Sequence, residues 1–448
     1  MPRSLKRKRA HTIRGDSVEK DLLQYLLDNG RLAVIKAPPG SGKTSLLISV
    51  SAACFRKKMR VAIGTQTNSQ ADDICTRLWR NHGIAPIRFA AIDYGSSDLP
   101  EEIPICSNVK DLPPQRASIV VGTIAKWGFV EVQDPYDFLV IDEAWQMSWA
   151  SFMPCNSVAA RFVLIGDPGQ IPPVVTIDTS RWETSPRAPH RPVPDIILAD
   201  SIRGIMVREL TASRRLPPDS VEVVRGFYDF DFDSSAKPGD RRLIPKSGGG
   251  GGVDRVIGML AEGSFAACTL PTPDQGPPLE LDEEVGKAAV KIVRRLLDRS
   301  ASLVVKDDDR YGNRITIKPE HIGLCATHRI MNNFLQLQLP ASLQDRVRVD
   351  TPERWQGLER PVMVVVHPLS GVLTPSAFDL ETGRLCVMAS RHKVAVVVVG
   401  RDHIMDTLKE YIPSAEQAVG CPDVTGMGHD RHLKFWRYLE QEVRIVNI

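Results

Sequence analysis

The stretch that most restricts what this chain can fold into is Ala37-Pro38-Pro39-Gly40-Ser41-Gly42-Lys43-Thr44. It follows the apolar run Leu32-Ala33-Val34-Ile35 and leads into Ser45-Leu46-Leu47-Ile48, so a buried strand feeds a glycine-rich turn that opens a helix. A phosphate loop needs that order. Glycines let successive backbone N–H groups converge on phosphate oxygens, and the helix N-terminus adds partial positive charge. Lys43 is then expected on the β- and γ-phosphates and the Thr44 hydroxyl on Mg²⁺, with Pro39, Gly40, Ser41, Gly42 and Ser45 completing the nucleotide contacts. Ala37 stands where the usual pattern has its first glycine, and the inner Gly40 and Gly42 carry the turn.

The 448 residues allow two or three domains with proper cores. With 57 Lys plus Arg against 54 Asp plus Glu, the net charge of +3 is no nucleic-acid signature, so any basic surface is local. Arg3, Lys6, Arg7, Lys8 and Arg9 form one such cluster, read as a solvated basic tail over residues 1–17. The eight cysteines are too scattered for a metal knuckle and read as reduced, mostly buried thiols. The longest apolar run, Val394 to Val399, is too short to span a bilayer, so no membrane role and a soluble cytoplasmic or nucleoplasmic location are expected.

Further along, several strand-like runs end in polar residues, and in open α/β sheets ligands collect at the carboxyl ends of strands. Arg60 to Thr65 exits through Thr65, Thr67 and Asn68, and Ser118 to Val121 exits through Thr123; these are candidates for holding a substrate backbone, and helix caps are the plainer reading. Phe138-Leu139-Val140-Ile141 ends in Asp142 and Glu143. One carboxylate holds Mg²⁺ through its water shell and the next orients and deprotonates the attacking water, roles given to Asp142 and Glu143 respectively. Phe162 to Ile165 leads into the turn Gly166-Asp167-Pro168-Gly169-Gln170, whose tip amide suits a γ-phosphate sensor, and Ile171, Pro172 and Pro173 extend toward the substrate. Over the helix-like run Val18 to Leu27 no residue stands out as a reader of adenine, so base selectivity is left open.

Taken together, Gly40 to Thr44, Asp142-Glu143-Ala144 and Gly166 to Pro173 resemble motifs I, II and III of superfamily 1 helicases, in particular the branch of the nonsense-mediated-decay RNA helicase and its DNA-acting relatives. Leu210 to Leu216 resembles motif IV, in which Arg215 matches the arginine that reaches the γ-phosphate and Arg214 replaces an aromatic residue. Val347 to Glu359 resembles motif V, with Thr351 placed toward nucleic acid and Glu359 toward the ribose or phosphates. Leu385 to Lys393 resembles motif VI, with Arg391 as the second arginine finger.

The resemblance implies two RecA-like P-loop α/β domains, each a mostly parallel sheet flanked by helices. Residues 18–199 are expected as the first, with a loop-like insertion near 85–117, and 200–415 as the second, with a glycine-rich loop at 245–252 and a helical tail over 416–448. It further implies an ATPase using ATP and Mg²⁺, with Lys43, Glu143, Gln170, Arg215 and Arg391 catalytic, moving on single-stranded DNA or RNA in the 5′ to 3′ sense. Thr65, Thr67, Asn68, Thr123, Pro172 and Thr351 are the expected strand contacts. A nucleotide-dependent clamp or remodelling subunit, working with a protein partner and never separating strands, is the alternative.

Overall fold

The computed structural model describes residues 17–95, 99–113, 117–200, 202–246, 249–306, 314–413 and 422–448. The basic cluster from Arg3 to Arg9 lies outside them. The chain divides into two compact units at Ala212 and Ser213, except that Gly169–Ile171 packs with the second unit.

The first unit is built on eight strands: β1 (Leu32–Lys36), β2 (Arg60–Thr65), β3 (Ile87–Phe89), β4 (Ile105–Cys106), β5 (Ser118–Thr123), β6 (Phe138–Ile141), β7 (Phe162–Gly166) and β8 (Met206–Glu209). They lie in the order β4-β3-β5-β2-β6-β7-β1-β8, and every pairing is parallel. Their near-continuous apolar sequences follow from burial on both faces. Ala33 and Ile35 point into one core with helices α1 (residues 17–27), α2 (Lys43–Arg56) and α3 (Asn68–His82). Val34 points into the other, with Trp127, Trp145 and Ile197.

Two expectations change here. The segment 85–117 is not a loop insertion: β3 and β4 extend the sheet, and the fully buried Arg88 pins them by donating to Asp72 and Asn68, each at 2.7 Å. The first unit also ends at Ala212 rather than 199, because β8 pairs with β1 from Ala33–Met206 to Lys36–Glu209. Strands this short, broken by prolines, carry little periodicity of their own.

Among the described residues the main sheet of the second unit has six strands, β9 (Phe265–Leu270), β10 (Ile322–Cys325), β11 (Arg348–Asp350), β12 (Arg360–Val366), β13 (His392–Arg401) and β14 (Ile445–Asn447), and shorter strands beside it, Arg241–Ile244, Ser302–Val305 and Ile315–Thr316 among them, pair separately. The order in the main sheet is β11-β10-β12-β13-β9-β14, again all parallel. Val362 and Val364 face one core and Met363 and Val365 the other, the alternation of a strand covered on both sides. Between the pairs Arg360–His392 and Val362–Ala395 the register slips, so Lys393 and Val394 oppose the single Pro361. Proline has no N–H for the ladder, which makes this the natural place for a bulge. Within residues 416–448, where a C-terminal helix packing on the second domain is expected, the helix Val424–Gln441 buries Phe435, Trp436 and Leu439, and β14, which the sequence does not announce, pairs with β9. Within the glycine-rich stretch, 247 and 248 lie outside the described residues, and Gly252 begins the helix Gly252–Met259. No helix among the described residues is long and apolar enough to cross a membrane.

Candidate functional site

β1 runs between β7 and β8 and delivers the loop at residues 37–42 to the carboxyl edge of the first sheet, beside the ends of β6 and β7. The loop closes because Ala37 N donates to Gly166 O at 2.9 Å and because Gly40 and Gly42 take φ of 70° and 90°, a left-handed backbone that costs an L side chain about 1–2 kcal/mol. α2 then starts at Lys43 with neither a side-chain cap nor an acidic residue in its first turn. Its leading N–H groups are thus left for an anion. The buried Ser41 Oγ, which has no hydrogen-bond partner, lies in the same loop.

Three carboxylates meet this loop. Lys43 Nζ stands 3.3 Å from Glu143 Oε1 and 3.9 Å from Asp167 Oδ2. The Thr44 hydroxyl donates to Asp142 Oδ2 at 3.2 Å, and Glu143 N donates to Asp142 Oδ1 at 3.0 Å. Glu143 holds this place with a left-handed backbone, φ 52° and ψ 46°, unusual outside glycine and typical of functional turns. Burial, and then the Glu143 charge, push Asp142 up to about 6 despite the opposing pull of Lys43. A buried carboxylate held this high gains from another cation. Thr44 and Asp142 offer hard oxygen donors side by side, a set that fits Mg²⁺. Asp167, buried and within reach of Lys43, was not singled out from sequence, although it follows the end of β7 as Asp142 follows the end of β6.

In the second unit, Arg215 Nε donates to Glu359 Oε2 at 2.7 Å while Lys393 Nζ reaches Glu359 Oε1 at 2.9 Å. Arg215 also reaches Ser390 O at 3.4 Å, next to the buried Arg391 that caps the helix Thr382–Ser390. Of the two arginines of the sequence pair, Arg214 is exposed and Arg215 is the one turned toward Glu359. Arg241, unmarked by any sequence pattern, donates to the carbonyls of both Arg214 and Arg215. Glu359, expected toward the ribose or phosphates, pairs with both Arg215 and Lys393. Gln170 is buried in the same unit: Ile171 sits in its core, and Ile171 O accepts from Gln356 Nε2 at 3.4 Å.

The candidate strand contacts divide. Thr65 is fully buried and its hydroxyl donates to Thr67 O; Thr67 forms a capping box with Gln70. Asn68 Oδ1 accepts from Arg88, and Thr123 Oγ1 accepts from Lys126 N. Each of these four side chains has a local partner. Pro172 is exposed and Thr351 half-buried. Sequence reading passed over Thr327, His367 and Ser370 as a set. They line a cavity of about 30 Å³ just past the ends of β10 and β12, and Thr327 Oγ1, His367 Nε2 and Ser370 Oγ are buried without hydrogen-bond partners.

An AAA domain family model matches residues 18–182. The chain is 22% identical over 409 residues to the DNA replication ATP-dependent helicase/nuclease DNA2 of Gallus gallus, covering 88% of this chain and 37% of that protein. The chain is a relative of the superfamily 1 helicases. A second such relative, the protein of the same name in Xenopus laevis, is 25% identical over 431 residues, covering 87% of this chain and 38% of its own length. This helicase relative therefore spans under two-fifths of the curated proteins it matches. Among solved structures it is similar to an arterivirus nonstructural protein 10 helicase at 13% identity and a TM-score of 0.44, covering 84% of this chain and 61% of the other.

Proposed function

We propose that the chain hydrolyses ATP and uses the cycle to move along a single-stranded nucleic acid. The observation that carries the reading is the convergence of Lys43, Thr44, Asp142, Glu143 and Asp167 within hydrogen-bond or ion-pair reach at one sheet edge, next to an uncapped helix N-terminus. In this reading the loop N–H groups and Lys43 bind the phosphates. Glu143 accepts the proton of the attacking water, and Gln170 senses the γ-phosphate. Thr44 and Asp142 would hold Mg²⁺, which when bound neutralises charge on the phosphate oxygens. Arg215 and Arg391 act on the transferring phosphoryl group, a role worth ~10³ to 10⁵ in rate for arginine fingers.

Support for a nucleic-acid substrate comes from the polar groups at the carboxyl end of the second sheet, Thr351, Thr327 and Ser370 among them, and from relatives named as DNA replication helicases. Single-stranded DNA is the first substrate and 5′ to 3′ the direction. The test is an ATPase assay without polynucleotide, with single-stranded DNA and with RNA, followed by tailed duplexes of both polarities. Stimulation by DNA is the expected result. ATP turnover that neither polymer stimulates would remove the motor reading and leave a nucleotide-dependent clamp.

A further inference from the structure

His392 lies between Arg391 and Lys393 and is completely buried. Its Nε2 is 2.5 Å from Ser220 Oγ, and Ser220 Oγ is 2.5 Å from Ser264 Oγ. Ser264 donates to Asp219 Oδ2 through both its hydroxyl, at 2.7 Å, and its N–H, at 2.6 Å. Counting hydrogens orders the chain. Asp219 accepts, so the one hydroxyl hydrogen of Ser264 is spent on it, and Ser264 Oγ must accept from Ser220. Ser220 then accepts from His392, whose Nε2 therefore carries a proton. The ring also meets Phe265 edge-on, centroids 5.3 Å apart.

This chain of four ties the start of β13 to the helix Pro218–Val224, which carries Asp219 and Ser220, and to Ser264 immediately before β9. The tie sits at the register slip opposite Pro361, where the ladder between β12 and β13 loses its regular support. On the far side of His392, Lys393 is held by Glu359, which also holds Arg215. Buried polar relays add little net stability over apolar groups of the same shape, but they fix one geometry, because each donor has a single acceptor.

We propose that His392, through Ser220, Ser264 and Asp219, is a positioning residue that fixes the backbone at Arg391 for its action on the phosphoryl group. This rests on the ATPase reading of the site. The backbone at Arg391 is otherwise held by Arg360 N, which donates to Arg391 O at 3.0 Å.

The test compares His392→Leu, His392→Gln and Ser220→Ala with the wild-type chain in DNA-stimulated ATP turnover, nucleotide affinity and thermal unfolding. His392→Leu and Ser220→Ala are expected to lower kcat about 10- to 100-fold, the scale of an ångström-level misplacement, with nucleotide affinity kept within about twofold. Gln places an N–H donor near the position of Nε2, so His392→Gln is expected to restore most of the turnover. Should His392→Leu fail to fold, Ser220→Ala and the Gln variant decide alone. Wild-type kcat in His392→Leu or Ser220→Ala, or a Gln variant no better than Leu, overturns the positioning role. A wild-type chain that does not hydrolyse ATP overturns the functional reading, and the positioning role with it; an active wild-type chain with indifferent variants removes the positioning role only.

Discussion

At the scale of single residues, adjacent carboxylates are separated by what surrounds them. Asp142 is buried, accepts from the Thr44 hydroxyl and is raised to about 6, while Glu143 pairs with Lys43. Their separate duties give separate outcomes. Glu143→Gln keeps the side-chain volume and removes the base, so nucleotide binding should persist while turnover falls ~10²- to 10⁴-fold, read by fluorescent-nucleotide titration beside steady-state hydrolysis. Asp142→Asn removes a hard oxygen charge instead. In the wild-type chain chelation of Mg²⁺ should weaken nucleotide binding; in Asp142→Asn affinity should be nearly the same with and without the metal. Arg215→Lys retains charge but not the planar fork that faces Glu359, so a large loss of kcat is expected despite the formal conservatism.

At the scale of elements, residue types that could touch a substrate turn out to be capping structure. Thr67 exits β2 as a strand-contact residue would, yet its hydroxyl accepts from Gln70 N while Gln70 accepts from Thr67 N, closing a capping box on α3. Thr67→Ala should therefore cost about 0.5–2 kcal/mol in a denaturant titration, whatever its effect on DNA affinity. The same logic explains why the segment 85–117 looked like a loop. β3 is only three residues long, and what binds it is a buried arginine paired to α3, a long-range contact that leaves no local pattern. In contrast, the phosphate loop was legible because its demand is local: left-handed backbone at Gly40 and Gly42 between a strand and a helix.

At the scale of the whole chain, three buried histidines of the second unit set an acid limit. Burial holds His392 and His432 down to about 3 and His367 well below its usual value. In the unfolded chain each protonates near 6.5, so the stability they contribute is fully present above about pH 6.5 and is lost as pH falls toward 3. Near pH 5 the loss amounts to about 2 kcal/mol for each histidine. Asp142, raised rather than lowered, works in the opposite sense, but as one group against three. Urea midpoints should therefore drop between pH 7.5 and 5. His432, whose ring nitrogens both lack hydrogen-bond partners, is the cleanest probe: His432→Phe should make the profile shallower, leaving the share of His367 and His392, without loss of stability at pH 7.5.

By itself the sequence determined the chemistry that is set within a few residues: the phosphate loop, the paired acids after a buried strand, and the succession of motifs that mark a superfamily 1 relative. The tertiary structure decided what depends on partners far apart in the chain. It added β8 and β14 to the sheets, turned Arg215 rather than Arg214 toward Glu359, and brought Asp167 within reach of Lys43. It also buried His392 against Ser220. The reason is physical: backbone conformation and strand burial leave a short-range pattern, whereas ion pairs and relays between distant segments are selected only when the sheets bring those segments together.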